Sequence, residues 1–301
     1  MGAFTKKNNT ASRTPYMRRI LSPYVMAFLA VVMWSFSFPA SKVAQIDFSP
    51  MAIVFLRYLV ASIFFLPLLF LGRIIKLKFR DLLRLTLPAL IGVTAHQTLV
   101  VIGVGQVSPS AAAMIISTTP IFAAILAYVL QGVKLTKRQI NGTGLGFSGV
   151  VLICTSSGAD GNLQGFTIML AATLCLATYF LMQKALLERY SLFDVVAYNT
   201  WIGTLSMSFF APALMKDIAT EPQISSIISV VIMGVFSSGL GVVFWFKAVA
   251  TSAPNQINFF MYLQPLLVGL MAWVWIADVP SFQTCLGGLI VLYVLFYLTR
   301  K

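Results

Sequence analysis

Carboxylates are scarce in this chain: eight Asp and Glu stand among 301 residues, against 21 Lys and Arg. Charged residues make up only 10% of the sequence, where a soluble domain carries roughly 25%. That shortfall excludes an ordinary soluble fold. The single histidine, His96, argues against Ser/His chemistry. Cys154, Cys175 and Cys285 lie inside apolar runs, show no metal-ligand spacing and read as small packing residues. No phosphate-loop lysine motif, dinucleotide fingerprint or H-E-x-x-H pattern is present, so an enzyme, a resident cofactor, a bound metal and ATP-driven pumping by this chain are not expected.

What fills the sequence is apolar length. Hydrophobic residues make up 59% and the mean hydropathy is +0.90. A hydrocarbon core of about 30 Å needs about 20 apolar residues per helix, and open sheets cannot cross it. The expected fold is therefore an all-α integral membrane protein. Its spans fall near 23–45, 50–71, 86–106, 109–131, 140–157, 164–187, 194–215, 225–249, 254–277 and 282–299. No length remains for a soluble domain. Residues 1–22 are polar and basic and read as a cytoplasmic tail; the run that follows is too long for a signal peptide.

The chain is written twice. Pro109, Thr119-Pro120, Gly132 and Gly142 recur as Pro254, Gln264-Pro265, Ala277 and Gly287, an offset of about 145 residues. Upstream, Lys42, Ser49 and Arg57 fall on Lys184, Ser191 and Asn199 at a slightly shorter offset. The units expected are 23–157 and 164–299.

The net charge of +13 sorts by loop rather than marking nucleic-acid binding. With the N-terminus inside, basic residues gather in 1–22, 73–84, 134–138, 184–189, 247 and 300–301. The outside flanks keep only Lys42 and Lys216, with Asp47, Asp160, Asp217, Glu221 and Asp278. Both termini are then cytoplasmic. Five helices per unit is an odd number, so the second unit enters the membrane inverted, an architecture that supports alternating access.

On these residues the chain resembles the EamA family of the drug/metabolite transporter superfamily, over 23–299. The resemblance rests on Trp34-Ser35-Phe36-Ser37-Phe38-Pro39 with Lys42, on Phe55-Leu56-Arg57, and on Pro265 followed by Asp278. The first half departs from it, with Val133 where an acid often stands. The resemblance implies a ten-helix metabolite carrier of the cell (inner) membrane, often an exporter. Its substrates range over amino acids, nucleosides, vitamins and other metabolites.

Polar residues inside apolar spans are the candidate site, because each is costly there. Arg57 lies roughly 10 Å into its helix, at 1.5 Å per residue. It would meet a substrate carboxylate, backbone carbonyls, Asp47 or Asp278, or else snorkel to headgroups. Trp34, Ser37 and Ser41 share a helical face that would line a cavity or simply pack. His96, beside Gln97, would carry a proton or bridge helices. Asn255, Asn258 and Tyr262 share a stripe ahead of Gln264 and Pro265, with Thr118 and Thr119 as counterparts. Tyr179, Gln183, Trp201 and Trp245 complete the set. Gly142 with Gly146, and Gly234 with Ser238, read as packing seams without chemistry. The segments 73–84 and 184–194 read as solvated loop ends. The absence of any carboxylate inside a span favours facilitated transport or exchange over strong proton coupling.

The leading expectation is export of an amino acid or related small zwitterion by a monomer or homodimer in the bilayer. Arg57 would hold the carboxylate, and Trp34, His96, Thr119, Tyr179, Asn258 and Tyr262 would line the rest. Import or exchange of a nucleoside- or nucleotide-like metabolite is an alternative. An organic-cation exporter would want an acidic residue beside its aromatics. A membrane scaffold or a lipid enzyme is the reading from another class.

Overall fold

Proline and serine set the helix starts. Pro23, Pro50 and Pro109 each open a helix, where a missing N–H leaves no bond unmade. Ser22 and Ser108 stand just before two of them and accept from the N–H groups of Val25 and Ala111 at 3.3 and 3.1 Å. Ser191 caps its helix the same way, accepting from Asp194 N–H at 3.2 Å.

The computed structural model describes residues 21–72, 77–132, 136–155, 160–187, 189–252, 257 and 259–299. Among these the chain is helical, with one isolated bridge between Val107 and Gly161. The first unit holds α1 (Pro23–Ala44), α2 (Pro50–Phe70), α3 (Phe79–Ala89), α4 (His96–Gln106), α5 (Pro109–Ile116), α6 (Thr119–Gln131) and α7 (Lys137–Cys154). The second holds α8 (Leu163–Leu187), α9 (Leu192–Ser206), α10 (Ala211–Ile218), α11 (Ile224–Ile232), α12 (Val242–Thr251), α13 (Gln264–Ile276) and α14 (Phe282–Thr299). Val133, Asn255 and Asn258 lie outside the described residues.

Several expected spans are interrupted. The stretch 109–131 breaks between α5 and α6, where Ser117 and Thr118 hydroxyls bond back to the Met114 and Ile115 carbonyls, each at 2.6 Å. Pro120 has no N–H for the Ile116 carbonyl, and the Thr119 hydroxyl donates to it instead at 2.5 Å. The stretch 194–215 breaks at a short 3-10 turn, Ser208–Phe210. The segment 79–84, read as a solvated loop end, instead opens α3, with Arg84 paired to Asp81 at 3.2 Å.

Two interruptions recur at the repeat offset. A π-helical segment, Leu90–Ala95, joins α3 to α4, and another, Met233–Gly241, joins α11 to α12. Counted with these segments, Phe79–Gln106 and Ile224–Thr251 join Pro23–Ala44, Pro50–Phe70, Pro109–Gln131 and Leu163–Gln183 as stretches long and apolar enough to cross a membrane. Ile140–Cys154, Phe260–Ile276 and Phe282–Val294 are apolar but shorter. Large apolar side chains such as Phe70, Trp273, Val274 and Leu289 cover the outside, as a lipid-facing surface requires.

Small residues bring helices together. At Gly149 of α7 a Cβ would lie 2.8 Å from the Gly287 carbonyl oxygen, and at Gly287 of α14 one would lie 2.6 Å from that of Gly149. The backbones touch, which only glycine at both positions allows.

One end of the bundle is knitted by carboxylates. Asp47 accepts from the Ser226 hydroxyl at 2.5 Å, and Asp278 accepts from the Ser110 hydroxyl at 2.9 Å. Asp160 takes the Ser281 N–H at 3.1 Å and the Thr284 hydroxyl at 2.9 Å. Asp217 reaches Ser49 at the start of α2. These contacts run between the units or tie loops to helix starts. We refer to this as the acidic end.

Candidate functional site

Between the units lies a cavity of about 130 Å³. Its walls come from α1 and α2, both π-helical segments, α4, the end of α5 at Ile116, α8, α9 and α12, and from Met261 and Gln264. No lining residue belongs to the acidic-end loops. The α9 residues Val196 and Thr200 and the α12 residues Trp245 and Phe246 place the space between the middle of the bundle and its opposite end.

Among the described residues Arg57 is the one Lys or Arg side chain in the lining, 5% exposed within α2. Its Nε donates to Ser238 Oγ at 2.7 Å and its Nη2 to Ser237 Oγ at 2.9 Å. Burial of the guanidinium overturns the snorkelling alternative. Asp47 and Asp278 are not its partners; both are engaged at the acidic end. The seam at Gly234 and Ser238, to which the sequence reading gave no chemistry, places this contact. A Cβ on Gly234 would stand 2.7 Å from the Arg57 carbonyl oxygen, so glycine lets the π-helical segment close on α2. Ser238 then meets the guanidinium. An i→i+5 turn offsets side chains from the α-helical register, which presents adjacent Ser237 and Ser238 to one planar fork.

Trp34 reaches the same segment, its indole Nε1–H donating to the Ser237 carbonyl at 3.1 Å. Its ring lies 5.3 Å from that of Trp245, tilted by 49°. Both line the cavity, as do Phe38, Phe180 and Phe246. His96 begins α4 and its Nδ1 lies 2.9 Å from the Ala172 carbonyl oxygen. Tyr179 of α8 accepts at its hydroxyl from Asn199 Nδ2 at 3.3 Å.

Of the residues singled out from sequence, Trp34, Arg57, His96 and Tyr179 therefore surround one space, with Ser37, Gln97, Trp245 and Gln264. Thr119 does not line it; its hydroxyl serves the Pro120 break. Tyr262 packs against the core formed around α5 and α8 and is not in the lining. Asn258 lies outside the described residues. Trp201 ties α9 to α2 through the Ser62 carbonyl at 3.2 Å.

The sequence reading missed Ser237, Ser238 and Tyr58, and treated Asn199 only as the neutral counterpart of Arg57. That repeat correspondence was the signal available for Asn199. Among the described residues the lining contains no Asp or Glu. A charged donor, neutral polar groups and aromatic walls can hold a small anion or zwitterion with an apolar side chain. They hold no nucleophile–base pair and no carboxylate for acid–base work. Among the described residues no cluster of His, Cys, Asp or Glu suits a metal.

A cavity lined by polar and aromatic side chains, enclosed by long apolar helices of a doubled chain, defines a membrane transporter rather than an enzyme. The model of the EamA-like transporter family matches residues 21–155 and 163–300, and the chain belongs to that family. It is 30% identical over 260 residues to a probable terminal-alkyne amino-acid exporter of Streptantibioticus cattleyicolor, covering 86% of this chain and 87% of that one. It is 24% identical over 266 residues to an S-adenosylmethionine/S-adenosylhomocysteine transporter of Chlamydia muridarum, covering 84% of each. A crystal structure, 16% identical, superposes with a TM-score of 0.61 over 92% of this chain and 96% of that one, a likeness of fold alone.

Proposed function

We propose that this protein exports an amino acid or closely related small metabolite across the cell (inner) membrane. The observation that carries the reading is a buried Arg57 in a carboxylate-free, aromatic-walled cavity between the two units. A substrate carboxylate supplies the charge that Arg57 lacks in its surroundings. The aromatic walls take an apolar side chain. The 30%-identical relative, a probable exporter of an unusual amino acid, supports the same class.

The ten spans form two inverted five-helix units with both termini cytoplasmic, a placement favoured by the basic loops. The acidic end is then external and closed, and the cavity faces the cytoplasm, where an exporter loads. Exchanging the conformations of the two units opens the cavity outward. Without a carboxylate in the lining, movement follows the substrate gradient or an exchanged metabolite.

The likeness to an S-adenosylmethionine/S-adenosylhomocysteine carrier keeps a second reading, a nucleoside-bearing amino acid. Cavity size weighs against it: about 130 Å³ corresponds to about four waters at roughly 30 Å³ each, little room for a nucleoside.

Counterflow in proteoliposomes decides. Liposomes loaded with unlabelled leucine, methionine, adenosine or butylamine are given a trace of the same labelled compound. An amino acid is expected to accumulate transiently, and Arg57→Ala to abolish the accumulation. Counterflow of adenosine or butylamine alone, or an unaffected Arg57→Ala, overturns the reading.

A further inference from the structure

Arg57 accounts for one end of a zwitterion only. An ammonium group needs acceptors, and among the described residues the lining offers no carboxylate.

His96 supplies one. A carbonyl oxygen can only accept, so the contact of Nδ1 with the Ala172 carbonyl at 2.9 Å fixes the hydrogen on Nδ1. In the neutral ring Nε2 is then an acceptor. Nε2 has no hydrogen-bond partner among the described residues, and His96 lines the cavity at 6% exposure. Asn199 supplies a second. Its amide nitrogen donates to the Tyr179 hydroxyl, and its Oδ1 is buried without a partner. A buried acceptor left unmade costs about 1–3 kcal/mol, so Oδ1 calls for a partner that the protein itself does not supply. Asn199 is 1% exposed, lines the cavity and occupies the second-unit position matching Arg57. The inverted repeat thus sets a charged donor in one unit against a neutral acceptor in the other.

We propose that His96 Nε2 and Asn199 Oδ1 take up the substrate's ammonium group, which makes the site selective for small zwitterions. This rests on the reading above, in which Arg57 holds the carboxylate. Molecules with a carboxylate alone bind through Arg57 but leave both acceptors unmade. Amines without a carboxylate place a charge beside Arg57 with nothing to balance it. Zwitterions with a second positive charge are excluded for the same reason.

The test uses purified full-length protein in nanodiscs, with norvaline, pentanoate and butylamine as probes that share one propyl chain. Apparent affinities come from ligand-dependent thermal stabilisation. Wild type is expected to bind norvaline about tenfold or more tightly than pentanoate, the scale of one buried hydrogen bond to a charged group. Butylamine should not register. His96→Phe should bring norvaline down to the pentanoate level while pentanoate binding persists. His96→Gln, which keeps an acceptor, should restore part of the preference, and Asn199→Leu should lose part of it. Should His96→Phe fail to fold, the gradation between His96→Gln and Asn199→Leu still reports on the acceptors. Equal binding of norvaline and pentanoate by wild type overturns the proposal and leaves the Arg57 reading standing. Equal loss of both probes in His96→Phe makes His96 a structural bridge and overturns it too. Failure of every carboxylate to bind wild type overturns both readings.

Discussion

Asp217, from the second unit, accepts both the hydroxyl and the backbone N–H of Ser49, each at 2.7 Å. Ser49 precedes Pro50, so the carboxylate caps α2 from across the interface, where the partial positive charge of a helix start favours an anion. Asp47 mirrors the arrangement from the first unit, reaching Ser226 near the start of α11. In the transport cycle proposed above the acidic end faces outward, and these groups must separate before the cavity opens there. Hydrogen bonds to charged groups contribute about 1.5–3 kcal/mol. Asp217→Asn keeps the shape and removes the charge, so the acidic-end-open population should rise several-fold. The measurement is labelling of Ser37→Cys by a membrane-impermeant thiol reagent in right-side-out vesicles, in a background lacking Cys154, Cys175 and Cys285. Ser49→Ala, which keeps the N–H contact, should give a smaller increase. Unchanged labelling in Asp217→Asn removes this contact from the closure.

Arg57→Lys is expected to fail where a conservative exchange of charge would predict success. The guanidinium presents Nε to Ser238 and Nη2 to Ser237 in one plane. An ammonium is a point charge and cannot hold that fork and meet a substrate carboxylate as well. Counterflow by Arg57→Lys should fall by about tenfold or more, and the apo protein should lose about 1–3 kcal/mol, the scale of one buried partner left unmade. Wild-type counterflow in Arg57→Lys reduces the role of Arg57 to its charge.

Arg57, Trp34 and His96 were legible because a polar group inside an apolar run is expensive and rare, and each lines the cavity. Their partners were not. Ser237 and Ser238 sit in a run of glycine and small residues that reads equally well as a close-packed seam. What brings both to one guanidinium is a π-helical register with no side-chain pattern of its own. The acidic residues were visible as loop charges, but their capping of helices from the opposite unit depends on tertiary contacts between residues far apart in sequence. Thr119 was legible as polar, but its partner was not: the proline after it makes its hydroxyl a substitute for a lost backbone bond. Repeat arithmetic carried further than motif reading, since it paired Arg57 with Asn199 and Gly132 with Ala277.

Gly92 should tolerate no side chain. It lies in the first π-helical segment, and a Cβ there would fall inside van der Waals contact with the Tyr179 ring. Tyr179 is 8% exposed and holds Asn199, so it cannot swing into solvent. Overpacking of this kind costs about 1–3 kcal/mol. Gly92→Ala should lower the thermal midpoint and weaken norvaline binding together, while Gly144→Ala, inside α7 with open space around it, should leave binding unchanged and not lower the midpoint. Wild-type norvaline affinity in Gly92→Ala would separate the π-helical segment from the site.

Ala277→Gly should stabilise the protein. Ala277 ends α13 in the left-handed conformation at φ 55°, and its repeat counterpart Gly132 ends α6 the same way at φ 66°. The Ala277 N–H donates to the Trp273 carbonyl at 3.1 Å and the Asp278 N–H to the Ala272 carbonyl at 3.2 Å, so the left-handed residue closes the helix. An L-residue with a Cβ pays about 1–2 kcal/mol there, whereas glycine pays none of it. Glycine's larger unfolded-state entropy offsets about 0.4–1 kcal/mol. Ala277 is exposed, so removing its methyl opens no cavity. The expected net gain is roughly 0.5–1 kcal/mol, read as a raised thermal midpoint in detergent. The reverse exchange, Gly132→Ala, has open space around it and should cost about 1 kcal/mol from backbone strain alone. A lowered midpoint for Ala277→Gly would mean that the unfolded-state entropy outweighs the strain, and the two units would then differ in how their helices end.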